Sequence, residues 1–289
     1  MIKFEKPDRD TVITSLLPFI ALPACLTGVF TMYYHEVPKR IWIVNLIATG
    51  LGILITKSIQ GKVFGFKPLY LKITTAISVI LLLLTFTNRG IDEVHRWLFV
   101  GGLNFNIGLI VCPVLLLLIL DLNGFLKPFL LSTSISVILL LQPDASQVSA
   151  FSIAALFLLL GKSNNNLLKI FLVGLTLAFN TYTWVHLDGL QPVNYVERVV
   201  EMAGEISTYV KFMAFFSLAL LPFPFFVSDN DRNRHLAIAL GLYFCLSIAA
   251  SFVGNFPVII MGYGISPVIG YFMAINWLLL TKRSTKRLK

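Results

Sequence analysis

Long apolar runs follow one another along the chain, separated by short polar breaks, and that succession decides the fold class. A helix needs roughly 20 apolar residues to cross a hydrocarbon core about 30 Å thick. Runs of this kind lie near 11–34, 40–56, 68–87, 103–121, 125–141, 146–161, 167–186, 209–227, 235–253 and 265–281. The shorter ones suffice when flanking residues snorkel. Apolar residues make up 57% of the chain and charged residues 13%, against about 25% charged in a soluble domain. That leaves too little polar side chain to cover a soluble globule. The expectation is an all-α polytopic bundle of about ten transmembrane helices, forming a single transmembrane domain over 1–289.

Charge gives the bundle a direction. The net charge is +9, which would suit an acidic partner. The basic residues, however, sit in short clusters between the apolar runs, and no basic face interleaves with aromatic residues, so no nucleic-acid partner is expected. With the N-terminus inside, the outer segments hold Lys39, Arg40, Arg89, Arg96, Arg198 and Lys211, and the other 17 of the 23 basic residues fall inside. Such asymmetry marks the cytoplasmic side. Both termini are therefore expected in the cytoplasm: a tail over 1–10 and a basic tail over 282–289.

The three cysteines, Cys25, Cys112 and Cys245, lie inside apolar runs, and no CxxC or Cys/His ligand spacing occurs. Neither a disulfide framework nor a zinc site is expected. Leu22-Pro23-Ala24-Cys25 loosely resembles a lipoprotein cleavage box, but Pro23 fits it poorly and the apolar run continues to Tyr34. The first run reads as a span, not a cleaved signal. No internal repeat is evident, which weakens an inverted-repeat transporter.

Polar groups near a membrane surface, beside broken helices, are where chemistry is expected. Four segments qualify, all on the expected outer side. The first runs from Gly90 to Phe105 and contains Arg96 beside Trp97: a planar cationic fork suited to phosphate and a ring that favours the headgroup level. The second is Leu141-Gln142-Pro143-Asp144-Ala145, where Pro143 ends one helix and Asp144 is suited to cap the next. The third is an outer loop over 187–208, which contains Asp188, Glu197, Arg198, Glu201 and Glu205. Val193, Val196, Val199, Val200 and Ala203 recur there at helical spacing, as in an amphipathic helix lying on the membrane. Glu197, Glu201 and Glu205 would share one face of it. The fourth is Gly254-Asn255-Phe256-Pro257 followed by Gly262-Tyr263-Gly264, which reads as a re-entrant or partly unwound segment backing a cavity.

Together these segments resemble the SEDS family (shape, elongation, division, sporulation), membrane glycosyltransferases with ten spans and both ends inside. The family's third-to-fourth connection carries Arg-Arg-Trp-Ile, then Gly and an apolar-Gln-Pro-Ser-Glu stretch. The like-placed residues here are His95, Arg96, Trp97, Leu98, Gly101 and Phe105. Its fifth-to-sixth connection carries Glu- or Gln-Pro-Asp and a small residue, matched by Gln142, Pro143, Asp144 and Ala145. The fourth segment resembles the Gly/Pro-rich stretch before the family's last span. The departures are specific. Asn106-Ile107-Gly108-Leu109 stands in place of Gln-Pro-Ser-Glu, and the lysine that follows it in the family is absent. The seventh-to-eighth loop, which carries the family's catalytic aspartate, is short. No position matches that aspartate, and Asp188 and Glu197 are candidates by location alone.

The resemblance implies an enzyme of bacterial cell-envelope glycan synthesis in the inner membrane, transferring sugar from a polyprenyl-diphosphate carrier at the outer leaflet. Arg96 would hold diphosphate charge, and Asp188 or Glu197 would deprotonate the attacking hydroxyl. Asp144 would organise the cavity or orient Arg96. Trp97, Gln142, Asn255 and Tyr263 complete the candidate substrate contacts. A single-span transpeptidase-like protein is the implied partner, and the lipid-linked sugar or another outer-leaflet lipid the implied ligand. No cofactor is expected; a divalent cation would be compatible, but no site for one is identifiable. Two other classes stay open: a non-catalytic scaffold that binds lipid or a partner, and a transporter of small molecules or lipid.

Overall fold

The structure, a computed structural model, describes residues 15–60, 68–227 and 234–286. The expected N-terminal tail over 1–10 and residues 287–289 of the expected C-terminal tail lie outside the described residues. The chain is an all-α polytopic membrane bundle with one small hairpin. Its helices are α1 (Leu22–Tyr34), α2 (Lys39–Ile59), α3 (Pro68–Leu84), α4 (Ile107–Asp121), α5 (Leu126–Leu141), α6 (Ala145–Lys162), α7 (Asn166–Val185), α8 (Asn194–Glu197), α9 (Val199–Ile206), α10 (Thr208–Leu220), α11 (Phe223–Phe226), α12 (Arg234–Val253) and α13 (Ile265–Lys286). Strands β1 (Trp97–Val100) and β2 (Leu103–Asn106) pair antiparallel between α3 and α4. Among the described residues, six helices are long and apolar enough to cross a membrane, and four shorter apolar helices accompany them.

Three departures from the apolar runs have local causes. The fourth run starts at Leu103, but the helix starts at Ile107, because residues 103–106 pair with 97–100 instead. The Gly101-Gly102 turn permits this: both residues have positive φ, 59° and 79°, as the tightest hairpin turn requires. Asn106 then caps α4, its side chain accepting from the Leu109 amide. The eighth run is two pieces, α10 and α11, because Pro222 cannot continue the helix. The Leu221 carbonyl left open there accepts a hydrogen bond from the Tyr271 hydroxyl, 2.9 Å away. At the C-terminal end α13 runs on to Lys286, into the stretch expected as a tail.

α4 is apolar on every side and buried along most of its length, the pattern of a central helix. α6, α12 and α13 pack around it, with Phe225, Phe244 and Tyr271 in mutual ring contact and Tyr243 edge-on against Phe244. α7 is peripheral, and most of its length is exposed. Two side-chain hydrogen bonds fasten it to α6: Asn180 to the Ser152 hydroxyl at 3.0 Å and Trp184 to the Ser149 hydroxyl at 2.8 Å. Small hydroxyls and amides serve this way between helices when lipid offers no alternative partner.

Candidate functional site

At the hairpin end of the bundle, three segments far apart in sequence meet on one guanidinium. Arg96, just before β1, is buried. Its Nη2 donates to the Pro143 carbonyl and to the Asp188 carboxylate. Its Nε lies 3.6 Å from Asp144 Oδ2. Phe256 stacks its ring 5.4 Å below the guanidinium, and Trp97 lies 5.9 Å away. Arg96, Asp144 and Asp188 are thus brought together, each from a different inter-helix connection.

Local structure explains each placement. Asp144 is the N-cap of α6, its Oδ1 accepting from the Gln147 amide at 3.1 Å, which leaves Oδ2 facing Arg96. Burial pushes the Asp144 carboxyl above its usual range, against the pull of Arg96 and the cap hydrogen bond. Asp188 Oδ1 accepts from the Leu190 amide at 3.0 Å, an Asx turn that presents Oδ2 to Arg96. Two carboxylates and one guanidinium, all largely buried, leave the group net negative when both acids are ionised.

Glu197 lies within electrostatic reach of Arg96 and Asp188 but is not in an ion pair with Arg96. Its carboxylate accepts from the Val193 amide at 2.7 Å, across the single turn of α8. Burial raises its pKa to about 7; its amide hydrogen bonds and the nearby Arg96 pull it down, and Asp188 adds to the rise. A carboxyl that titrates near neutrality, beside a fixed positive charge, has the profile of a general base.

Helix α8 ends at Glu197, and Arg198 leaves helical geometry with φ −115° and ψ 23° before α9 begins. The expected common face of Glu197, Glu201 and Glu205 is therefore broken. Glu201 and Glu205 line a separate cleft with His35 and Arg198. Val199, Val200, Met202 and Ala203 bury the other side of α9.

The remaining candidates fall in different places. Gln142 is fully buried and turned toward α3, donating to the Leu82 carbonyl at 3.2 Å and the Thr85 hydroxyl at 2.8 Å; it ties two helix ends together beneath the site. Asn255 is exposed. Tyr263 packs its ring edge-on against Tyr195 and donates its amide to the Tyr195 carbonyl at 2.8 Å. The unwound segment 254–264 thereby forms the floor under α8, with the Val258 amide also donating to the Val196 carbonyl at 3.0 Å. Contact is so close that a Cβ on Gly262 would lie 2.2 Å from the Val196 oxygen.

Two contributors escaped the sequence reading. Phe256 lies in a segment read for its breaks, not its ring. Asn45, in the middle of α2, fixes the unwound segment: its amide donates to the Ile260 and Gly262 carbonyls at 3.3 and 2.7 Å and accepts from the Gly264 amide at 3.0 Å. A lone amide inside an apolar run was the signal for it. Among the described residues, no group of three or more His, Cys, Asp or Glu side chains is arranged to hold a metal ion.

No family model and no curated protein matches the chain. Its fold, however, is that of solved structures. The rod shape determining protein RodA of Thermus thermophilus superposes with a TM-score of 0.70 at 16% identity, over 93% of this chain and 96% of that one. An aspartate-to-alanine variant of the same protein gives 0.69 with the same identity and coverage. A chain from a structure described as the structural coordination of polymerization and crosslinking by a peptidoglycan synthase complex gives 0.64 at 18% identity, over 93% and 97%. The chain has a SEDS-like fold.

Proposed function

We propose that this protein is a glycosyltransferase of the cell envelope, taking sugar from a polyprenyl-diphosphate carrier at the outer leaflet of the bacterial inner membrane. The observation that carries this reading is the convergence of Arg96, Asp144 and Asp188 at one end of a SEDS-like bundle, with Glu197 beside them. In the proposed orientation the hairpin end faces outward and both termini are cytoplasmic, in line with the uneven split of the basic residues.

The step asks little of the chain beyond charge and a base. A hydroxyl oxygen of the acceptor sugar attacks the anomeric carbon of the donor. The bond from that carbon to the diphosphate oxygen breaks, and polyprenyl diphosphate leaves with the electron pair. Glu197 takes the hydroxyl proton; its pKa of about 7 suits a base that works near neutrality. The leaving diphosphate gains negative charge, and the Arg96 fork offsets it. Because Asp188 occupies that fork in this structure, the diphosphate exchanges with the Asp188 carboxylate on binding. Asp144 holds the guanidinium in place throughout. Trp97, 5.9 Å from the guanidinium, and the exposed Asn255 remain the candidate substrate contacts. A single-span transpeptidase-like partner fits the reading, since one structure of like fold is described as a complex joining polymerization to crosslinking.

One observation favours a second reading. Arg96 is enclosed by protein carboxylates and by Phe256, as in a purely structural cation, and a scaffold that binds lipid without turnover would need no more. The discriminating experiment offers a labelled polyprenyl-diphosphate sugar to the purified protein. Release of polyprenyl diphosphate, lost in Glu197→Gln, supports the enzyme; saturable binding with no release supports the scaffold.

A further inference from the structure

A cleft lies between the α1–α2 turn and the stretch formed by α8 and α9. It has a volume of about 500 Å³ and is lined by His35 and Val37 from the α1–α2 turn and by Asn194, Tyr195, Arg198, Glu201, Met202 and Glu205. A cleft of this size holds a small polar ligand. Neither Arg96 nor Glu197 lines it.

Its charges are arranged in an unusual way. Arg198, at the break before α9, and Glu201 on α9 both line the cleft, and among the described residues neither is in an ion pair. Glu205 is exposed and has His35 as its ion-pair neighbour, 3.8 Å away. The His35 Nε2 already donates to the Met202 carbonyl at 2.9 Å, so the imidazole is committed to the wall. The cleft thus offers one guanidinium, from Arg198 at the break between α8 and α9, and two carboxylates four residues apart on α9, Glu201 and Glu205.

The aromatic residues around it fix its depth. Tyr33, Tyr34 and Tyr209 are exposed at the adjoining ends of α1 and α10. Trp42 packs edge-on against Tyr33, and Tyr34 edge-on against the cleft-lining His35. Exposed tyrosine and tryptophan gather at the headgroup level of a bilayer. The ligand most abundant at that level is a lipid headgroup.

We infer that this cleft seats the headgroup of an aminophospholipid, with its phosphate on Arg198 and its primary ammonium between Glu201 and Glu205. The pairing selects by chemistry. An anionic headgroup without an amine would face two carboxylates with nothing to offer them. A quaternary amine carries charge but no N–H to donate. This site is separate from the one proposed for glycosyl transfer and does not depend on it.

The test uses the full chain in detergent micelles doped with phosphatidylethanolamine, phosphatidylcholine or phosphatidylglycerol, with retained lipid counted by native mass spectrometry. A further arm adds free phosphoethanolamine as competitor. The expected result is about tenfold tighter retention of phosphatidylethanolamine than of either other lipid, one charge-assisted contact's worth. Arg198→Gln should lower its retention about tenfold, and Glu201→Gln with Glu205→Gln should abolish its preference over phosphatidylcholine. Displacement by millimolar phosphoethanolamine would show that the headgroup alone is recognised; no displacement, with the preference intact, would show that acyl chains contribute. Equal retention of all three lipids, stronger retention of phosphatidylglycerol, or a preference that survives the double substitution would overturn the inference.

Discussion

Asp188 reaches Arg96 across 92 residues of sequence, and its carboxylate accepts a hydrogen bond from the Arg96 guanidinium. This contact joins the loop after α7 to the hairpin before α4. The same guanidinium faces Asp144 at the start of α6. Three connections at one end of the bundle are therefore held by one buried cation.

Removing that cation should be costly. Arg96→Met leaves two largely buried carboxylates without a counter-charge, and breaking a buried pair from one side costs about 3–5 kcal/mol. Asp188→Asn, which keeps the Asx turn and removes one charge from a net-negative group, should cost less. Unfolding of both variants in detergent would show this ordering. A smaller loss for Arg96→Met than for Asp188→Asn would place the stabilisation elsewhere.

The floor of the site depends on Asn45. In Asn45→Leu, the Ile260 and Gly262 carbonyls and the Gly264 amide lose their buried partner. The expected loss is roughly 3 kcal/mol, given about 1–3 kcal/mol for each group stranded. Hydrogen exchange at Gly264 should quicken by roughly 100-fold, while exchange in the middle of α6 stays as it was.

Close backbone contact makes a similar prediction at Gly262. Gly262→Ala forces the 254–264 segment and α8 apart, because the new Cβ would meet the Val196 oxygen at 2.2 Å. Gly174→Ala is the matched control, with no atom within 4 Å of its added Cβ. The melting temperature should fall in the first and hold or rise slightly in the second, where alanine favours the helix.

Glu197 predicts the pH dependence. Its pKa rises from 4.5 to about 7 on folding, so between those values the folded state holds a proton that the unfolded state has lost. Stability from this group is fully present below about pH 4.5, falls as pH rises towards 7 and is level above that. Activity should move the other way: the base works only when ionised, so the rate should rise with an apparent pKa of about 7. In Glu197→Gln the fall in stability over this window should become shallower, with the raised carboxyl of Asp144 left to contribute.

The bundle was legible because its signal is repeated. Ten apolar runs and an uneven split of basic residues do not depend on any single side chain. Arg96 and Asp144 were legible as well: a charge beside Trp97 and an acid after Pro143 are conspicuous where polar residues are rare. Their meeting point was implied only by the family resemblance. Nothing in the spacing of Arg96, Asp144 and Asp188 says that three connections close on one another, since that follows from how α4, α6 and α7 pack. Gln142 shows the converse. It stands in a motif, yet its amide serves the end of α3. The three glutamates of the outer loop obeyed helical spacing only until Arg198, where the helix restarts. Periodicity records which residues lie one turn apart, not whether the turn is continuous.

The most direct measurement is single-turnover release of polyprenyl diphosphate from a labelled lipid-linked sugar, comparing the wild-type chain with Glu197→Gln at equal amounts of folded protein. Donor binding should be unchanged and release should fall by about 100-fold or more, the usual contribution of a positioned base. Release at the wild-type rate in Glu197→Gln, or no release by the wild-type chain with bound donor, would contradict the account.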